Sequence, residues 1–102
     1  MNEAVLQSHE KTVRQYIATL LSEKDMNVRE LSQAAGIREK DVYGHLSHIS
    51  RSIAHKGQRL IVQPFSCLVC GYVFKDRKRF NRPGRCPNCK GERLERPIYR
   101  II

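Results

Sequence analysis

The chain reads as an α+β protein, and three observations predict it. Apolar side chains recur at helical spacing in three successive stretches between Ser8 and Ala54. From Arg59 the period turns extended, with one short apolar run there and another at the C-terminus. Between those two runs lie all four cysteines, as two C-x2-C pairs at the spacing of a tetrahedral zinc site. Two short helices across a glycine-bearing turn make a helix-turn-helix, and a hairpin that follows one is a wing. The prediction is a three-helix winged helix-turn-helix with a zinc ribbon inserted in the wing.

The first helix runs from about Ser8 to Lys24. Val13, Tyr16, Ile17, Leu20 and Leu21 follow the i, i+3, i+4, i+7, i+8 pattern of one buried face. Arg14, Gln15 and Thr19 fall on the other side. The second helix spans Val28–Ala35, with Asn27 and Glu30 placed as a capping box. Its inward residues are Val28, Leu31, Ala34 and Ala35, and Gly36 supplies the left-handed residue that ends it. The third covers about Glu39–Ala54, with Val42, Leu46, Ile49 and Ile53 at core spacing. Only Gly36-Ile37-Arg38 separates the last two.

Arg59–Gln63 is a strand candidate stopped by Pro64. Ile98–Ile102 is another, with Pro97 where a strand tolerates it. These are the expected partners of an antiparallel hairpin. The expected organisation is a helical core over residues 1–64, with 97–102 pairing back onto it, and a zinc ribbon over 65–96.

The metal site is read from Cys67, Cys70, Cys86 and Cys89. Fifteen residues separate the pairs. Cysteines two apart do not easily join each other, yet both thiolates can hold one ion. Four protein ligands leave no position for substrate, so the expected ion is structural. A segment this short also lacks the surface to build a core unaided; below about 40 residues a metal, disulfides or a partner is usually required. One Zn2+ is expected, with iron as the alternative, since both accept four thiolates. An iron site would colour the protein red.

The N-terminus has no basic n-region, long apolar run or cleavage pattern. No stretch approaches about 18 apolar residues, so no membrane span is expected. A reducing cytoplasm fits cysteines that serve as metal ligands.

Charge is uneven. The chain carries +9, but residues 1–64 hold nine Lys/Arg against seven Asp/Glu while residues 65–102 hold ten against three. Four thiolates and one divalent ion would bring the second part from +7 to about +5. A small, strongly basic protein points to a polyanionic partner, and nucleic acid is the commonest; with a helix-turn-helix the expected form is double-stranded DNA.

Val28-Arg29-Glu30-Leu31-Ser32-Gln33-Ala34-Ala35-Gly36-Ile37, continued by Asp41–Leu46, resembles the winged-helix transcription regulators. Cys67-Leu68-Val69-Cys70-Gly71-Tyr72 and Cys86-Pro87-Asn88-Cys89 resemble the knuckles of a rubredoxin-like zinc ribbon. Across nearly all 102 residues the combination resembles the small prokaryotic and archaeal predicted transcription regulators in which a helix-turn-helix is fused to such a ribbon. The second pair departs from the common pattern in having Lys90 where glycine is frequent, with Gly91 next. The resemblance implies a DNA-binding role in transcriptional control.

In such a fold the second motif helix enters the major groove. The candidate contacts are Arg38, Lys40, Tyr43, Gly44, Ser47, His48 and Arg51. Glu39 and Asp41 soften that face. Gly44 is unexpected inside a helix, where it costs about 1 kcal/mol against alanine; close approach of DNA or another helix would explain it. Lys75–Arg85 holds six basic residues and one acid. Within it Arg77, Lys78, Arg79 and Arg82 are candidate phosphate contacts, and Phe80 either stacks on a base or packs under the ribbon. Two other roles fit the same residues: an adaptor docking on the transcription machinery, and an RNA-binding zinc-ribbon factor. A homodimer through the first helix is a further expectation. No nucleophile–base pair, phosphate loop or paired carboxylates suggests an enzyme.

Overall fold

The computed structural model describes residues 3–75 and 79–102, with side chains from residue 12 onward. Three helices form first: α1 (Glu3–Glu23), α2 (Val28–Ala35) and α3 (Glu39–Ala54). Among the described residues five short strands accompany them: β1 (Met26–Asn27), β2 (Leu60–Val62), β3 (Phe65–Ser66), β4 (Val73–Phe74) and β5 (Ile98–Ile101). The architecture is mixed α+β, three helices with two small sheets and a cysteine-bearing lobe.

α2 starts as its residues dictate. The Asn27 side chain accepts from the Glu30 N–H at 2.8 Å, and the Glu30 carboxylate accepts from the Asn27 N–H at 2.9 Å. Gly36, at φ 69°, ends the helix, and its N–H reaches the Ser32 carbonyl. Val42, Leu46, Ile49 and Ile53 bury one face of α3. They meet Val13, Ile17 and Leu21 of α1 and Val28 and Leu31 of α2 in one cluster.

Two readings of buried faces need correction. Tyr16 is 46% exposed, because Val13, Ile17 and Leu21 carry the centre of the α1 stripe and Tyr16 lies at its edge. In α2 Ala34 is exposed and Ser32 is buried in its place. The Ser32 hydroxyl donates to the Arg29 carbonyl at 2.8 Å, which makes its burial tolerable.

β5 is the middle strand of a three-stranded sheet ordered β1-β5-β2. It pairs antiparallel with β2, Leu60 opposite Ile101 and Val62 opposite Tyr99. On its other edge Met26 lies opposite Tyr99. β1 was not expected from the sequence; two residues show no period, and Asn27 already serves as a helix cap. Tyr99 and Ile101 point into the helical core, while Ile98 is exposed. The chain between β2 and β5 forms the second lobe. There β3 pairs with β4, and Cys67 bridges to Leu94. Phe65, Phe74 and Leu94 bury with Cys67 and Cys86 in a separate small core. The Phe65 and Phe74 rings stack with centroids 4.6 Å apart.

Phe80 does not pack under the ribbon. It is half-buried against the helical core, its ring tilted on Tyr99 at 6.3 Å. The Tyr99 hydroxyl donates to the Phe80 carbonyl, so the ribbon loop is fastened to the central strand.

Candidate metal centre and basic surface

The two knuckles are built alike. In the first, the Gly71 N–H donates to the Cys67 carbonyl at 2.9 Å, and in the second the Lys90 N–H donates to the Cys86 carbonyl at 2.9 Å. Each turn closes on a left-handed residue, Gly71 at φ 80° and Lys90 at φ 65°. The tight turns swing backbone N–H groups toward sulfur. Val69 donates to Cys67 Sγ at 3.4 Å, Asn88 to Cys86 Sγ at 3.4 Å, and Gly91 to Cys89 Sγ at 3.3 Å. The Asn88 side-chain amide adds a fourth, reaching across to Cys70 Sγ at 3.4 Å.

These contacts bring all four sulfurs within 4.8 Å of one another. Cys67 and Cys89 sulfurs are 3.6 Å apart, and those of Cys70 and Cys86 3.7 Å. Tetrahedral coordination at a Zn–S distance of about 2.3 Å sets neighbouring sulfurs about 3.8 Å apart, so the cluster has the right size. Its electrostatics also fit a cation. The Asn88 amide, then the Tyr72 N–H, hold the Cys70 thiol down to about 6. The Cys67 thiol is lowered too, chiefly by the Cys70 N–H. The Gly91 N–H pulls on Cys89 in the same sense, yet burial and the three neighbouring sulfurs outweigh it and push Cys89 up to about 12. The neighbouring sulfurs thus oppose ionisation at Cys89, and a divalent ion removes the conflict. The site holds one structural zinc ion through Cys67, Cys70, Cys86 and Cys89, with no ligand position left for substrate.

Around α3 the structure separates the predicted contacts. Lys40, Gly44, Ser47, His48 and Arg51 are exposed. Tyr43 is not; it is half-buried against the helical core, on the flank of the buried face. Among the described residues nothing from another element comes within 4 Å of a Cβ added at Gly44, so none of them requires a glycine there. Arg38 Nε donates to Asp41 Oδ2 at 3.1 Å, and Arg96 of the ribbon meets Glu39 at 3.6 Å. Both acids beside the start of α3 therefore have an arginine. Ser47 borders a cleft with Arg79, Asn81 and Gly84 of the ribbon loop. Arg82 Nη2 donates to the Leu94 carbonyl at 2.9 Å, which gives it a structural duty. Arg77 and Lys78 lie outside the described residues.

Sequence reasoning missed Asn88 as a sulfur partner, Arg96 as partner of Glu39, and the Tyr99–Phe80 bond. Asn88 carried a signal, since an amide inside a C-x2-C turn is placed to reach sulfur. The other two depend on contacts distant in sequence.

A small zinc-binding protein that joins three helices to a rubredoxin-like ribbon is the class these features define. Residues 12–61 match the family model described as PF0610-like, N-terminal, and residues 64–102 match the PF0610 rubredoxin-like zinc beta-ribbon domain. The solution structure of protein PF0610 from Pyrococcus furiosus is similar to this chain, with 34% sequence identity and a TM-score of 0.76 over 90% of each chain. The chain belongs to the PF0610-like family. No curated protein matches it.

Proposed function

We propose that the chain is a DNA-binding transcription regulator of winged-helix type, with α3 in the major groove and the zinc ribbon acting as the wing. The observation that carries this reading is a stripe on α3. Lys40, Gly44, Ser47 and Arg51 are exposed on the face opposite Val42, Leu46, Ile49 and Ile53. Cations stand at both ends and small residues between them. Such a stripe lets a helix backbone approach a groove while its ends reach guanine edges or phosphates. The sheet order β1-β5-β2, with β2 and β5 antiparallel after α3, supports the wing. Arg79 in the ribbon loop lies on the same side as Ser47, so loop and helix offer one continuous basic surface. On this reading the protein is non-catalytic and works in the cytoplasm.

The test is selection from random duplex DNA with the zinc-loaded full chain, at stated salt. An enriched motif is expected. Lys40→Ala and Arg51→Ala should weaken binding to it. Arg79→Ala should lower the salt slope by about 0.9, the value of one phosphate contact. Absence of any motif, with affinity falling equally for all sequences as salt rises, would sink the reading.

A second reading, an adaptor that docks on another protein, draws support from the ribbon. Leu68 and Val69 of the first knuckle are 61% and 59% exposed, and Tyr72 and Val73 extend the apolar patch. It gains if the selection recovers no motif.

A further inference from the structure

The flank of α3 turned away from the ribbon loop carries a groove of its own. Residues of α1 and α3 line about 350 Å³ there, within the ~300–1,000 Å³ range of small-molecule sites. The floor is apolar, formed by Ala18 with Ile49 and Ile53, which are 2% and 7% exposed. Arg14, His48 and Lys56 stand around it, and no described lining residue is acidic. Gln15 and Ser52 add hydrogen-bonding side chains at the edge. Arg14 Nε donates to His45 Nδ1 at 3.3 Å. That bond ties Arg14 to a residue just outside the groove and is made through Nε, not through the terminal nitrogens.

We propose that this groove binds a small organic anion: a carboxylate drawn to the cationic rim of Arg14, His48 and Lys56, with an apolar body over Ile49 and Ile53. The guanidinium supplies paired donors, and the ammonium supplies a point charge. The apolar floor gives the body its share of affinity and excludes a bare inorganic anion from full binding. The C-terminus of α3 lies close by, and open carbonyls there would repel a carboxylate. Two of those carbonyls are engaged locally: the N–H groups of Lys56 and Gln58 donate to the Ile53 carbonyl, and that of Gly57 to the Ala54 carbonyl. The site stands whether or not α3 reads DNA. His48 belongs to both surfaces, so a ligand here would lie against the proposed reading helix.

The experiment is an amide chemical-shift titration of the zinc-loaded full chain, without DNA, using benzoate, hexanoate and inorganic phosphate as probes. The expected result is saturable shifts confined to residues 14–18 and 48–56 with at least one carboxylate, and about tenfold weaker binding of phosphate. Lys56→Glu, at an exposed position, should keep the folded spectrum and lose about tenfold or more in affinity, as removal of a charge-assisted partner does. Three outcomes overturn the proposal. Neither carboxylate saturates; or phosphate binds as well as they do, which marks a generic cationic surface; or Lys56→Glu binds the carboxylate unchanged.

Discussion

The two knuckles end alike in backbone and unlike in sequence. Gly71 and Lys90 share the left-handed conformation, at φ 80° and 65°, but only glycine occupies it without Cβ strain. For other L-residues the strain is about 1 kcal/mol or more. Lys90→Gly should therefore tighten zinc binding several-fold, measured by competition with a chromophoric chelator. Gly91→Ala should do the opposite. Its added Cβ would sit 3.2 Å from Cys89 Sγ and 3.2 Å from Val69 Cγ2. Val69 is exposed and can move aside, whereas a metal-bound sulfur cannot, so zinc affinity should fall. The pair also shows what the sequence disclosed. The four ligands and Gly71 were legible because knuckle chemistry fixes spacing and conformation locally. The departure at Lys90 was legible too, but the role of Gly91 was not. Its constraint comes from the way the folded turn brings Cys89 Sγ, with Val69 of the opposite knuckle beside it, to 3.2 Å from the position, which spacing alone does not disclose.

Among elements, the helices were legible and the strand that joins them to the sheet was not. Helical period repeats several times in α1 and α3, whereas β1 is two residues long. Its existence depends on β5, which arrives from the far end of the chain. Asn27 serves both, as last residue of β1 and cap of α2. Asn27→Ala should lower stability by about 1 kcal/mol, read as a shift in thermal unfolding of the helical signal. Just before β1, Asp25 ties the same junction to the rest of the sheet. A hydrogen bond from Gln63 first, then Arg100 at 3.3 Å, hold its carboxyl below the ordinary 3.8. A depressed carboxyl stabilises the fold above its unfolded value, and the contribution is lost as pH falls through the folded one. Asp25→Asn should thus be less stable than the parent at neutral pH. The gap should close progressively as pH drops below 3.8. A gap that stays constant into acid would show that the carboxylate charge is not what holds the junction.

At the scale of the whole molecule there are two cores of unequal means. Among the described residues thirteen buried ones fill the helical core, while the ribbon core has five, two of them zinc ligands. The small core cannot be expected to persist without its metal. The helical core owns its sheet, because β5 packs Tyr99 and Ile101 into it although it follows the ribbon in sequence. Among the described residues three points couple the lobes: Val62, which packs against both cores; the exposed Arg96–Glu39 ion pair at 3.6 Å; and Phe80, whose ring lies on Tyr99 while its carbonyl accepts from the Tyr99 hydroxyl. Chelation of zinc should consequently erase the ribbon's dispersed amide resonances and leave the helical circular dichroism largely intact. It should also lower the unfolding temperature of what remains, since Phe80 leaves the helical core when its loop loses its frame. Phe80→Ala in the zinc-loaded protein isolates that coupling. It removes the ring from the helical core without touching a ligand, and should reproduce much of the shift that chelation causes. Chelation of the variant should then move the helical transition little further. If chelation instead unfolds the parent in one step, with helical and ribbon signals lost together, the coupling is strong enough to make the two lobes a single cooperative unit.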